Sequence, residues 1–194
     1  MTDPHLFPAP RPIRRGTHAR RLLELGRKRP ALGAGMTVLV AALAATLLRQ
    51  PSPVLVWNAS ASSPIGLYRV GSAAGVHAGE MAVAWPPDEA RALGAARHYL
   101  PRNVPLVKRV AAAAGDRVCA RGETIFVNGR RTATRLRTDP AGRAMPWWWS
   151  GCERLRGGDL LLLSPSIPLA FDGRYFGISR SERIVGRARL VWPR

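Results

Sequence analysis

Two residues offer chemistry. Ser62 lies in the run Trp57-Asn58-Ala59-Ser60-Ala61-Ser62-Ser63-Pro64-Ile65-Gly66-Leu67-Tyr68, and Lys108 lies in Pro105-Leu106-Val107-Lys108-Arg109-Val110. A serine hydroxyl is a poor nucleophile at neutral pH and needs an adjacent base. The four histidines offer no obvious partner. His5 and His18 belong to a basic leading segment, His77 and His98 lack a clear acid partner, and no GxSxG elbow is present. A serine–lysine pair is the other known solution.

Lysine is used sparingly. Among 30 basic residues only Lys28 and Lys108 are lysines, and every other basic position after residue 30 is arginine. A guanidinium keeps its proton in a protein, whereas a buried lysine amine can lose one. An unperturbed lysine titrates at about 10.4, so a base working near neutrality needs a large depression, which desolvation supplies. The flanks 105–107 and 110–114 are apolar and fit a lysine pointing into a pocket. Read without a partner, the serine run is a turn ending in Pro64 and Gly66, and Lys108 is an exposed strand lysine.

The elements that must position this pair read as follows. Residues 1–30 carry eight basic side chains, two acids and several prolines, a polar tail with a short helix over 17–28. Residues 31–48 contain neither charge nor proline. At ~1.5 Å per residue they reach about 27 Å, roughly the hydrocarbon thickness of a bilayer. Arg27, Lys28 and Arg29 precede the run and only Arg49 closely follows it, so the positive-inside rule sets residues 1–30 in the cytoplasm, a transmembrane helix over 31–49 and residues 50–194 on the far side. A buried helix and a cleaved signal peptide are the alternatives.

Beyond residue 54 short β-prone runs alternate with turns: 54–57, 66–70, 81–85, 105–113, 116–120, 124–127, 159–164 and 183–192. Asn128-Gly129 marks a hairpin, and residues 86–98 read as a short helix in an insertion. This is the pattern of a mainly β domain.

The net charge of +18 suggests nucleic acid, an anionic membrane surface or an acidic partner, or else an arginine-rich proteome. No zinc-ligand spacing, basic region with heptads or aromatic RNP pattern supports nucleic-acid binding. The two cysteines, Cys119 and Cys152, form no CxxC pair and suggest no metal site. A disulfide between them is allowed if this part of the chain lies outside the cytoplasm; two separate buried thiols are the alternative. Trp147-Trp148-Trp149 either dips into a membrane interface or packs over the β core.

Three segments in order resemble the signal peptidase family, in its conjugative-transfer (TraF-type) branch. Asn58, Ser60, Ser62, Pro64, Gly66, Leu67 and Tyr68 match its serine box. Lys108, Arg109, Val110, Gly115 and Asp116 match its lysine box. Phe171, Asp172, Arg174, Tyr175, Phe176 and Gly177 match its third box. The resemblance runs from about residue 54 to 192. It implies a signal-peptidase-like antiparallel β domain preceded by one transmembrane helix. Ser62 would be the nucleophile and Lys108 the general base. The Ser62 N–H and the Ser60 hydroxyl would form the oxyanion hole. Asp172 and Arg174 would be supporting residues or a structural salt bridge. No cofactor or metal is implied.

The resemblance further implies a bacterial inner-membrane protein with a cytoplasmic N-terminus and a periplasmic peptidase domain. Its partners would be a membrane-inserted, pilin-like precursor and the lipid bilayer, with no nucleic acid. Small residues near the cleavage point, in shallow pockets, are expected. A general leader peptidase and a non-catalytic scaffold of a conjugation apparatus are the competing readings. Three positions depart from the pattern. Ala170 stands where relatives carry a serine that bonds the lysine, Gly173 replaces a serine in the third box, and Ala114 replaces the proline before Gly115-Asp116.

Overall fold

The computed structural model describes residues 33–45 and 52–194. The chain divides into two compact units, Met1–Pro51 and Ser52–Arg194. In the first, residues 33–45 form a helix, α1, with exposed side chains. No helix among the described residues is long and apolar enough to cross a membrane. The remainder of the span expected over 31–49, and the tail and short helix expected before it, lie outside the described residues.

The second unit is mainly β, with two antiparallel sheets. The six-stranded sheet runs β1-β2-β10-β3-β4-β9 and the four-stranded sheet β7-β6-β5-β8. The first contains β1 (Leu55–Asn58), β2 (Gly66–Val70), β3 (Met81–Ala84), β4 (Leu106–Ala112), β9 (Leu161–Leu163) and β10 (Ile184–Pro193). The second contains β5 (Arg117–Arg121), β6 (Thr124–Val127), β7 (Arg130–Thr134) and β8 (Gly151–Arg154). The insertion between β3 and β4 carries α2 (Asp88–Ala96), and α3 (Gly173–Phe176) follows β9.

The local rules are visible in each element. β1 alternates exposed Leu55 and Trp57 with buried Val56 and Asn58. The β6–β7 hairpin turns on Asn128 and Gly129, both with positive φ, as a tight right-twisted hairpin requires. One apolar cluster joins the sheets: Val118, Ala120, Ile125 and Ala133 from the smaller, Ala112, Leu161 and Leu163 from the larger. β8 went unseen in the sequence because all four of its side chains are exposed. It is held to β5 by strand pairing and by a disulfide between the directly opposed Cys119 and Cys152.

Two sequence expectations change. Trp147 and Trp149 sandwich the buried Arg135, each ring centroid 5.3 Å from its guanidinium, and Trp148 meets Phe171 edge-on at 6.4 Å. Trp149 therefore packs against the β core and Trp147 against Arg135, while Trp148 stays exposed. Gly173, which replaces the serine of the third box, is required by packing, because a Cβ there would come within 2.8 Å of the Leu162 carbonyl oxygen. Its small size lets α3 lie directly on β9.

Candidate active site

The serine loop leaves β1 and returns into β2, two paired strands, so its ends are fixed. Asn58 holds its interior. The Asn58 amide donates to the carbonyls of Ser60, Ser63 and Pro64 at 2.9, 3.1 and 3.0 Å, and its oxygen accepts from the Ser60 N–H at 3.2 Å. An asparagine offers donor and acceptor together, which an aspartate at this place would not. Tyr68 closes the loop by donating to the Pro64 carbonyl at 2.7 Å. The Ser63 hydroxyl donates to the Val107 carbonyl at 2.8 Å and so ties the serine loop to the strand that carries the lysine.

Lys108 sits in β4 between β3 and β9, opposite Ala82 of β3, and only 3% of it is exposed. Its amine donates to Ser62 Oγ. Ser60 Oγ lies 2.7 Å from Ser62 Oγ and accepts from the Ser62 N–H at 3.3 Å. The two groups expected to cradle an oxyanion are therefore adjacent and, in this structure, hydrogen-bonded to each other. Burial pushes the Lys108 amine down from 10.5 to about 8; the Asp172 carboxylate pulls it back up and the Arg174 guanidinium adds to the depression.

Asp172 and Arg174 form a fully buried ion pair, 2.8 Å from Nε to Oδ1. Asp172 also caps α3 by accepting from the Arg174 N–H at 3.0 Å. Neither touches Lys108. They meet the nucleophile through Ser164, which sequence reasoning missed. The Ser164 N–H donates to Asp172 at 2.8 Å, its carbonyl accepts from Arg174 at 2.7 Å, and its hydroxyl donates to the Ser62 carbonyl at 2.6 Å. Nothing short-range marks this serine, eight residues before Asp172. With Ala170 in place of a serine, Ser62 Oγ is the hydrogen-bond partner of the Lys108 amine, and Asp172 acts on that amine through its field alone.

The pair opens onto a cleft of about 810 Å³, lined by Trp57, Leu100, Val104, Leu106, Met145 and Phe171 among others. The insertion after β3 supplies one wall. At its rim Asp139 accepts from Tyr99 and, at 2.7 Å, from Arg143. No cluster of acidic, histidine or cysteine side chains suited to a metal ion occurs among the described residues.

The mainly β domain, with its loop serine and buried lysine, is the part of the chain in which similarity to known proteins lies. The family described as signal peptidase, peptidase S26, matches residues 28–193, and the chain belongs to that family. Two plasmid transfer proteins TraF of Escherichia coli are similar to it. One is 34% identical over 146 residues, the other 33% over 150; each match covers 70% of this chain and 82% of the relative. A signal peptidase I from Enterococcus faecalis is 16% identical, with 58% of this chain and 95% of that chain covered and a TM-score of 0.32.

Proposed function

We propose that the protein is a membrane-bound serine endopeptidase that cleaves segments from exported precursors through a Ser62–Lys108 dyad. The observation that carries this reading is the buried Lys108 amine, depressed to about 8, donating to Ser62 Oγ. In the reactive state the amine is neutral and accepts the Ser62 proton while Oγ bonds to the scissile carbonyl carbon. The Ser62 N–H and the Ser60 hydroxyl hold the developing oxyanion, a role in which one donor is typically worth ~10²–10³ in rate. The resulting Lys108 ammonium gives its proton to the departing amine as the C–N bond breaks. Lys108 then takes a proton from the water that attacks the ester carbon, and returns it to Ser62 Oγ as the ester C–O bond breaks.

The similarity to plasmid transfer proteins supports a precursor belonging to a conjugation apparatus, and a pilin-like chain is the substrate we favour. An inner-membrane position with a periplasmic domain follows from the apolar run 31–48 and its basic lead. The exposed face of the larger sheet supports contact with lipid. Trp57 and Trp192 both pair with Leu67, and the adjacent row pairs Leu55 and Arg189 with Arg69. Exposed aromatic rings beside arginines suit an anionic headgroup layer.

The test is precursor processing in cells expressing wild type, Ser62→Ala or Lys108→Arg beside the pilin-like precursor of the same transfer system. Only wild type should shorten it. Equal processing by all three would return the chain to the scaffold reading.

A further inference from the structure

Ser62 stands on a ridge between two hollows. Ala61, Ser62 and Ile167 border both the apolar cleft and a second hollow of about 340 Å³. A polypeptide cut at Ser62 must leave it in two directions, and each hollow can receive one flank. The second has different chemistry. Its walls include Met81, Leu163, Ser164, Ser166 and Arg109.

Arg109 reaches this hollow because successive strand residues point to opposite faces. Lys108 is buried beneath the serine loop, and Arg109, the next residue, is exposed between its cross-strand partners Met81 and Leu163. The Gly79 carbonyl accepts from one guanidinium nitrogen of Arg109 at 2.7 Å and so anchors the side chain. Among the described residues no carboxylate lies within ion-pair distance of it, whereas Arg91, Arg143, Arg174, Arg180 and Arg187 each have one. A guanidinium carries five N–H donors in a planar fork suited to a carboxylate. One of its nitrogens is occupied here; the rest of the fork is open.

We infer that the second hollow binds the substrate flank lying opposite the apolar cleft, and that Arg109 selects an aspartate or glutamate side chain on that flank, close to the scissile bond. The inference rests on the endopeptidase reading and names the charge its substrate carries. The apolar cleft takes the other flank, where a charge would be desolvated without a partner.

The experiment uses the full chain in detergent and a library of synthetic peptides, acetylated and amidated so that only side chains are charged, with cleavage sites mapped by mass spectrometry. Wild type should cut acidic sites roughly tenfold faster than matched Gln or Asn sites, the worth of one charge-assisted hydrogen bond. The preference should appear on one flank only. Arg109→Gln should bring the ratio to about one, Arg109→Lys should keep part of it, and Arg109→Glu should move the preference to basic side chains. Equal cutting of charged and uncharged sites by wild type overturns the inference without any variant, and so does an acidic preference that survives Arg109→Gln. Cleavage that persists in Ser62→Ala, or no cleavage by wild type, overturns the endopeptidase reading instead, and this inference falls with it.

Discussion

Replacing the lysine with methionine should abolish activity and make the protein more stable. Lys108 is 3% exposed, and its amine titrates at about 8 in the folded chain against 10.5 ordinarily. Folding at neutral pH therefore buries a charge that the unfolded chain leaves in water. A side chain whose folded pKa lies below its unfolded pKa imposes a cost fully present below the lower value and lost as pH rises to the higher one. Here the window runs from pH 8 to 10.5. The cost is about 3 kcal/mol at pH 7, about 2 at pH 9 and under about 0.5 at pH 10.5. Methionine matches the length of the stem and carries no charge. It forfeits the hydrogen bond to Ser62, about 1 kcal/mol. Lys108→Met should gain about 2 kcal/mol at pH 7 and about 1 at pH 9, with the sign reversing near pH 10. Urea unfolding of the full chain in detergent, followed by tryptophan fluorescence at several pH values, measures this directly. A variant less stable than wild type at pH 7, or a gain that does not shrink with pH, would refute the argument that burial depresses the amine.

Five further outcomes follow from the same geometry. Ser164→Ala should lower kcat roughly tenfold with little change in KM, and Ser164→Thr should restore most of it, because the hydroxyl holds the Ser62 peptide plane rather than the substrate. In wild type, kcat/KM should rise with pH to a plateau with its midpoint near 8. Asp172→Asn should move that midpoint to lower pH, because losing the carboxylate disfavours the ammonium, and should cost about 3 kcal/mol by leaving the buried Arg174 unpaired. Cys119→Ala with Cys152→Ala should cost about 3–4 kcal/mol in urea, the closure entropy of a 33-residue loop. In proteoliposomes, lipids brominated near the headgroup should quench tryptophan fluorescence, and Trp57→Phe with Trp192→Phe should remove most of that quenching because these two rings are more exposed than those of the triple tryptophan.

The sequence by itself determined most of the strands and offered the candidate serine and lysine, because both are written in short-range terms. Short β-prone runs marked β1 and β2, and Asn128-Gly129 announced its hairpin. Beyond residue 30 a single lysine among arginines, set in an apolar run, marked a candidate base, and the family resemblance paired it with Ser62. Only the tertiary structure decided what surrounds that pair. Ser164 acts on Ser62 across 102 residues of chain, through hydrogen bonds that no local pattern encodes. Gly173 reads as a missing serine until β9 is seen against it. Arg109 reads as a motif position until strand alternation and two cross-strand partners turn it into the wall of a hollow. Propensity and periodicity act over a few residues, whereas burial, field and shape are set by segments distant in the chain, and only the folded chain brings them together.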